Sequence, residues 1–194
     1  MKRKQNTKVS LNLLTIITII MILIISILTI ILATKAPITK ENFSYIANQL
    51  GYNKLFIIWG VIVGTYFFYI IINISKTTKI INNKIIVGST IILLLEILGL
   101  LIPYEPTTNI ILSELHSNSA LIATLGFAIL TYYLLYLLNL RGHNKYIKTY
   151  NLIIMFNIFI FLYYGHITSI LELTYTLSML IYLSYINLKV IKDK

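Results

Sequence analysis

Apolar residues run along this chain in six long blocks, at about 9–33, 55–75, 85–102, 119–140, 150–164 and 168–188. Short polar stretches separate them. The hydrocarbon core of a bilayer takes about 20 residues of helix per crossing. The pattern therefore predicts an all-α fold, a polytopic membrane helical bundle of six transmembrane helices forming one domain over 1–194. The first block is too long for the apolar region of a signal peptide and ends Ala-Thr-Lys-Ala-Pro, so it reads as a retained helix.

The polar stretches carry the next layer of information. A basic head, Lys2, Arg3, Lys4 and Lys8, precedes the first block. The loop from Thr34 to Lys54 holds Lys35, Pro37, Lys40, Glu41 and Asn42, and its middle, Ile38 to Leu50, predicts a short amphipathic helix. Trp59 near the start of the second crossing suits an interfacial aromatic. Gly60 and Gly64 make a small-xxx-small step that lets a neighbouring helix approach. Pro103 stops the third crossing, and Tyr104 to Asn118 reads as a loop without Lys or Arg. Gly165 and His166 read as a tight turn.

Basic residues sort by loop. Lys76, Lys79 and Lys84, then Arg141, Lys145 and Lys148, then Lys189, Lys192 and Lys194 fall on the side of the N-terminal head. Only Lys35, Lys40 and Lys54 fall on the other. The positive-inside rule then places both termini in the cytoplasm of a cell in whose plasma membrane the chain is embedded.

Composition agrees with the pattern. The chain is 58% hydrophobic and 11% charged, too few charges to cover a water-facing surface, and too apolar for disorder. The absence of cysteine excludes disulfides, thiolate metal sites and a cysteine nucleophile. The net charge of +10 reads as topology and does not imply a nucleic-acid partner, because the cations sit at the ends of apolar runs. Frequent Ile, Asn and Lys fit an AT-rich bacterial genome.

The remaining polar chemistry points to the outer end. Glu41, Glu105 and Glu114 lie in outer loops on this topology, and Asp193 lies in the cytoplasmic tail. Glu96 lies seven residues before Pro103, roughly 10 Å below the outer boundary at the helical rise. Glu172 lies roughly 6 Å below it. His116 and His166 are outside, whereas His143, beside Arg141 and Lys145, is a solvated cytoplasmic residue. No Lys or Arg lies inside any crossing, so Glu96 and Glu172 need an interior face or a wet cavity. Helical spacing supports that: Thr168, Glu172, Tyr175 and Thr176 form one stripe with Ser169 beside it, and Ser89, Glu96, Gly99 and Pro103 form another. Two readings follow. One is a polar network that fixes helix packing. The other is an outer pocket of Glu96, His116, His166 and Glu172, with Glu105 and Glu114 secondary, open to a lipid or small molecule.

Known chemistries are poorly matched. Haem needs histidines at mid-membrane depth. A zinc hydrolase wants about three ligands, and no HExxH exists; no cofactor or metal is expected. Ser113, Ser117, Ser119 and Ser169 lie near histidines in sequence, yet no G-x-S-x-G occurs, nor any P-loop.

One arrangement resembles a known family. The outer loop passes through Asn42-Phe-Ser-Tyr-Ile-Ala47 and Lys54-Leu-Phe into the second helix. The third helix ends Gly99-Leu-Leu-Ile-Pro103, the fourth opens Leu115-His116-Ser-Asn-Ser-Ala120, and a Glu follows Gly165 by about two turns. This layout resembles the six-helix membrane proteins related to damage-regulated autophagy modulators and FGF-receptor-activating protein, including their bacterial branch. The resemblance carries over Pro103, His116 and Glu172. Ile102 and Leu173 stand where those proteins often have Phe and Arg. It implies lipid or GPI-anchor handling and stress response for the eukaryotic relatives, and no assigned reaction for the bacterial ones.

Three functions remain: a lipid- or envelope-associated protein with an outward pocket, a small-solute transporter or substrate-binding membrane subunit, or a non-catalytic interaction or immunity protein. The first accounts best for the outer Glu and His residues. The topology has its own check. A reporter enzyme fused after Lys194 is expected to be active only if its activity is cytoplasmic, and an extracellular signal would reverse the orientation.

Overall fold

A computed structural model describes residues 2–140 and 145–192; Arg141, His143 and Asp193 lie outside the described residues. The described residues form seven helices: α1 (Lys2–Ala33), α2 (Phe43–Gln49), α3 (Asn53–Thr77), α4 (Asn83–Leu101), α5 (Ile110–Asn139), α6 (Lys145–Tyr164) and α7 (Ser169–Lys192). All but α2 are long and apolar enough to cross a bilayer.

Asparagines set three of the starts. The Asn42 side chain accepts from the Tyr45 N–H at 2.8 Å, Asn82 from Ile85 at 3.0 Å and Asn109 from Leu112 at 3.1 Å. Each supplies an acceptor for an N–H that the helix itself leaves orphaned. Asn109 explains the largest departure from expectation. The helix predicted from 119 begins at Ile110, so Glu114 and His116 sit on α5 and not in a loop. The apolar residues Ile110, Ile111 and Leu112 then continue the helical run outward. The amphipathic segment predicted over 38–50 is helical only over Phe43–Gln49, because Asn42 caps it. The Gly165 turn is present; its φ of +71° is a conformation that glycine adopts without a Cβ penalty.

The six long helices form a closed ring in the order α1, α3, α4, α5, α6, α7, and α3 also touches α7 across the middle. That cross-contact separates α1 from a space enclosed by α3 to α7. At one end the space is filled. Ile70, Ile71 and Ile74 of α3, Leu134, Leu135 and Leu138 of α5, and Met179, Leu183 and Ile186 of α7 are buried in one cluster. Polar bonds cross the same region: Tyr66 with Ser184 at 3.0 Å, Asn73 to Asn187 at 2.7 Å, and the Tyr182 hydroxyl to the Tyr146 carbonyl at 2.6 Å. At the other end, Phe43, Ile46 and Ala47 of α2 pack with Leu32, Phe56 and Leu100. Trp59 packs inward, and its indole N–H donates to the Thr29 hydroxyl at 2.9 Å.

The outer surface of the ring is apolar too; Ile129 and Leu162 are each 71% exposed. Helices apolar on both faces are consistent with an integral membrane protein. Two substitutions separate inner from outer faces. Leu135→Ala, at a fully buried position, is expected to lower stability to detergent-induced unfolding by about 2–5 kcal/mol. Leu152→Ala, at a 67% exposed position, is expected to stay within about 0.5 kcal/mol of the parent.

Candidate functional site

The space inside α3 to α7 is not filled throughout. A cavity of about 490 Å³ remains there, and Ser44 of α2 and its cap residue Asn42 are among its lining residues. Its wall is mainly aliphatic and aromatic, with Val63, Phe67, Ile92, Leu93, Phe127 and Phe161 among its members. Glu96, His116 and Glu172 all line it, together with Asn42, Ser44 and Tyr175. Three of the four residues expected in an outer pocket therefore share one cavity.

His166 does not join them. It is exposed, with Nδ1 2.8 Å from the Tyr164 carbonyl and Nε2 3.1 Å from the Lys40 carbonyl, and so ties the α6–α7 turn to the α1–α2 connection. Glu105 and Glu114 are exposed and outside the cavity wall. The Glu105 carboxylate accepts from the Thr108 hydroxyl at 2.8 Å in its own loop.

The three convergent residues differ in how they are held. Glu172 lies in the first turn of α7, and its carboxylate accepts from the Phe43 N–H at 2.6 Å. Two bonds run the other way: the Ser169 and Ile170 N–H groups donate to the carbonyls of Glu41 and Ile38 at 2.6 and 2.9 Å. The Ser169 hydroxyl adds a bond to the Glu41 carbonyl at 2.7 Å. The start of α7 and the start of α2 thus satisfy each other's orphaned backbone groups. For Glu172 the packing-network reading describes what is seen.

His116 is 2% exposed. Its Nδ1 lies 2.8 Å from the carbonyl of Ile102, which caps α4, and its Nε2 lies 2.7 Å from the Ser44 hydroxyl. Phe56 and Tyr104 flank the ring, with centroids 6.4 and 5.5 Å away. This gives the Pro103–His116 pairing a physical cause. Helix α4 stops before a proline, the Ile102 carbonyl at its end is left without an amide donor, and the His116 imidazole N–H takes that place.

Glu96 is different. It has no hydrogen-bond partner among the described residues. Its carboxyl group lies over Gly64, where a Cβ would collide with it, while Leu100 occupies the corresponding place over Gly60. The small-xxx-small step on α3 therefore receives two α4 side chains and brings one of them, Glu96, to the cavity. The Tyr175 hydroxyl on the same wall is buried and also without a partner.

Ser44 was missed by sequence reasoning, which looked at serines adjacent to histidines. Two of those serines have other bonds: Ser113 accepts from the Glu105 N–H at 2.7 Å, and Ser169 is held at Glu41. Ser44 stands 72 positions from His116, and only the Asn42 cap, legible as an Asn ahead of Phe-Ser-Tyr, hints at where it sits. No three His, Asp or Glu side chains gather in a metal-holding arrangement among the described residues.

No family model matches the chain, and no curated protein and no solved structure is significantly similar to it.

The Glu172 contact yields a direct check. Glu172→Ala removes the acceptor of the Phe43 N–H, so amide exchange over Phe43–Gln49 is expected to rise about fivefold or more. Glu172→Gln retains an acceptor oxygen and is expected to stay close to the parent.

Proposed function

We propose that this is a multi-pass membrane protein that binds an amphiphilic, lipid-type molecule in its α3–α7 cavity. Both termini lie in the cytoplasm of the cell whose plasma membrane holds it, and the cavity faces outward. The observation that carries the reading is the Glu96 carboxyl, which has no hydrogen-bond partner among the described residues, on the wall of an otherwise mainly apolar cavity that Tyr175 also lines. A carboxyl group left without a protein partner in such apolar surroundings calls for a ligand group that meets it. The apolar wall suits a hydrocarbon chain, and about 490 Å³ falls within the usual range of small-molecule sites. The sorting of Lys and Arg supports the orientation.

Other classes fit less well. Carriers often use paired discontinuous helices, and the six long helices run unbroken over the described residues. A purely packing role accounts for Glu172 but leaves Glu96 unexplained. The proposed kinship with the damage-regulated autophagy modulator and FGF-receptor-activating proteins rests on the proline–histidine pattern, and a lipid-handling role agrees with what it implies.

The test is direct. Protein purified in a mild detergent is expected to carry an amphiphile detectable by native mass spectrometry. The double variant Glu96→Leu, Tyr175→Phe is expected to fold and to lose at least about 90% of that occupancy. A parent protein without any adduct, and without uptake of a fluorescent fatty-acyl probe, would overturn the reading.

A further inference from the structure

We propose that Ser44 and His116 are a nucleophile–base pair that hydrolyses a carboxylic ester of a long-chain amphiphile held in the cavity. The proposal rests on the binding reading above for its substrate class, and on separate geometry for its chemistry.

Proton positions follow from the acceptors. The Ile102 carbonyl can only accept, so the imidazole Nδ1 facing it at 2.8 Å carries the hydrogen. In the neutral ring Nε2 is then a lone-pair acceptor, and the Ser44 hydroxyl donates to it across 2.7 Å. This is the arrangement that activates a serine: hydroxyl on base, base oriented by a third group. Here the third group is a backbone carbonyl fixed by the end of α4. Both residues line the cavity, which places the pair beside the space where an acyl chain would lie.

The pair is also rigidly placed. His116 is 2% exposed on α5, between Phe56 and Tyr104. Ser44 is the second residue of α2, the residue before it is tied to Glu172, and Asn42 caps the helix. Glu172 acts as a positioning residue for Ser44.

The reaction balances without a cofactor. Ser44 Oγ attacks the ester carbonyl carbon while its proton passes to His116 Nε2. The bond from that carbon to the leaving oxygen breaks, and Nε2 returns the proton to the leaving alcohol. Water then attacks the acyl-serine, giving its proton to Nε2. The carboxylic acid departs, and Ser44 regains its hydrogen.

The same hydrogen bond could serve only to pin α2, so the test must read nucleophilicity. The full chain in detergent micelles is treated with a fluorophosphonate probe, and the modified residue is mapped by mass spectrometry. Modification at Ser44 is expected, absent in Ser44→Ala and slowed at least about a hundredfold in His116→Gln. Hydrolysis of a medium-chain p-nitrophenyl ester is expected to follow the same order. Ser44→Ala is expected to fold, with an unfolding temperature lowered because the buried His116 Nε2 loses its partner. A folded parent left unmodified at Ser44 overturns the proposal, as does a labelling rate unchanged by His116→Gln. If His116→Gln fails to fold, the site mapping on the parent chain decides alone. A protein that retains its amphiphile but leaves Ser44 unmodified refutes the pair and spares the binding reading. One that labels at Ser44 but binds no amphiphile does the reverse.

Discussion

In hydrocarbon no water is present to meet a bare N–H or carbonyl, so a chain of this composition has to bond its backbone internally. Helices do this along their length and fail at their ends. Much of the distinctive architecture here follows from how those ends are closed. Asparagine side chains close the starts of α2, α4 and α5. The start of α7 is closed by the carbonyls of Ile38 and Glu41, and His116 closes the end of α4. The α1–α2 connection is thereby drawn onto the bundle as part of its wall.

The bundle's two ends then differ for a simple reason. At the end with the basic loops, bulky aliphatic and aromatic residues from α3, α5, α6 and α7 interdigitate and leave no room. Toward α2, the inner positions of α4 and α7 hold Ser89, Glu96, Gly99, Glu172 and Thr176. These side chains are smaller or polar, and they line a space where the other end has packed hydrocarbon. The cavity is thus a property of residue choice along continuous helices, without any break in the helices themselves.

Much of this was legible along the chain. Helix number and approximate position followed from apolar block length, and the inward stripes on α4 and α7 followed from helical spacing. Glu96, His116 and Glu172 could be named because charged or titratable residues are rare in such a sequence. What stayed hidden depends on pairing between distant segments. His166 looks equivalent to His116 as a residue in a polar segment, yet one meets loop carbonyls and the other meets a cap and a hydroxyl. The early start of α5 was hidden because Tyr104 to Asn118 is polar enough to read as a loop. Ser44 has no spacing relation to His116 that a pattern could detect.

The peptide unit between Asn42 and Phe43 has a consequence for how this protein can change. Its N–H is tied to α7 through Glu172, the next residue but one after it in the cap is tied to Asn42, and Ser44 beside it is tied to α5. Two other helices, α7 and α5, thus reach adjacent residues of α2, and the helix's own cap holds the next one. Substitutions at 172, 42 and 116 are expected to be non-additive, each one altering the effect of the others.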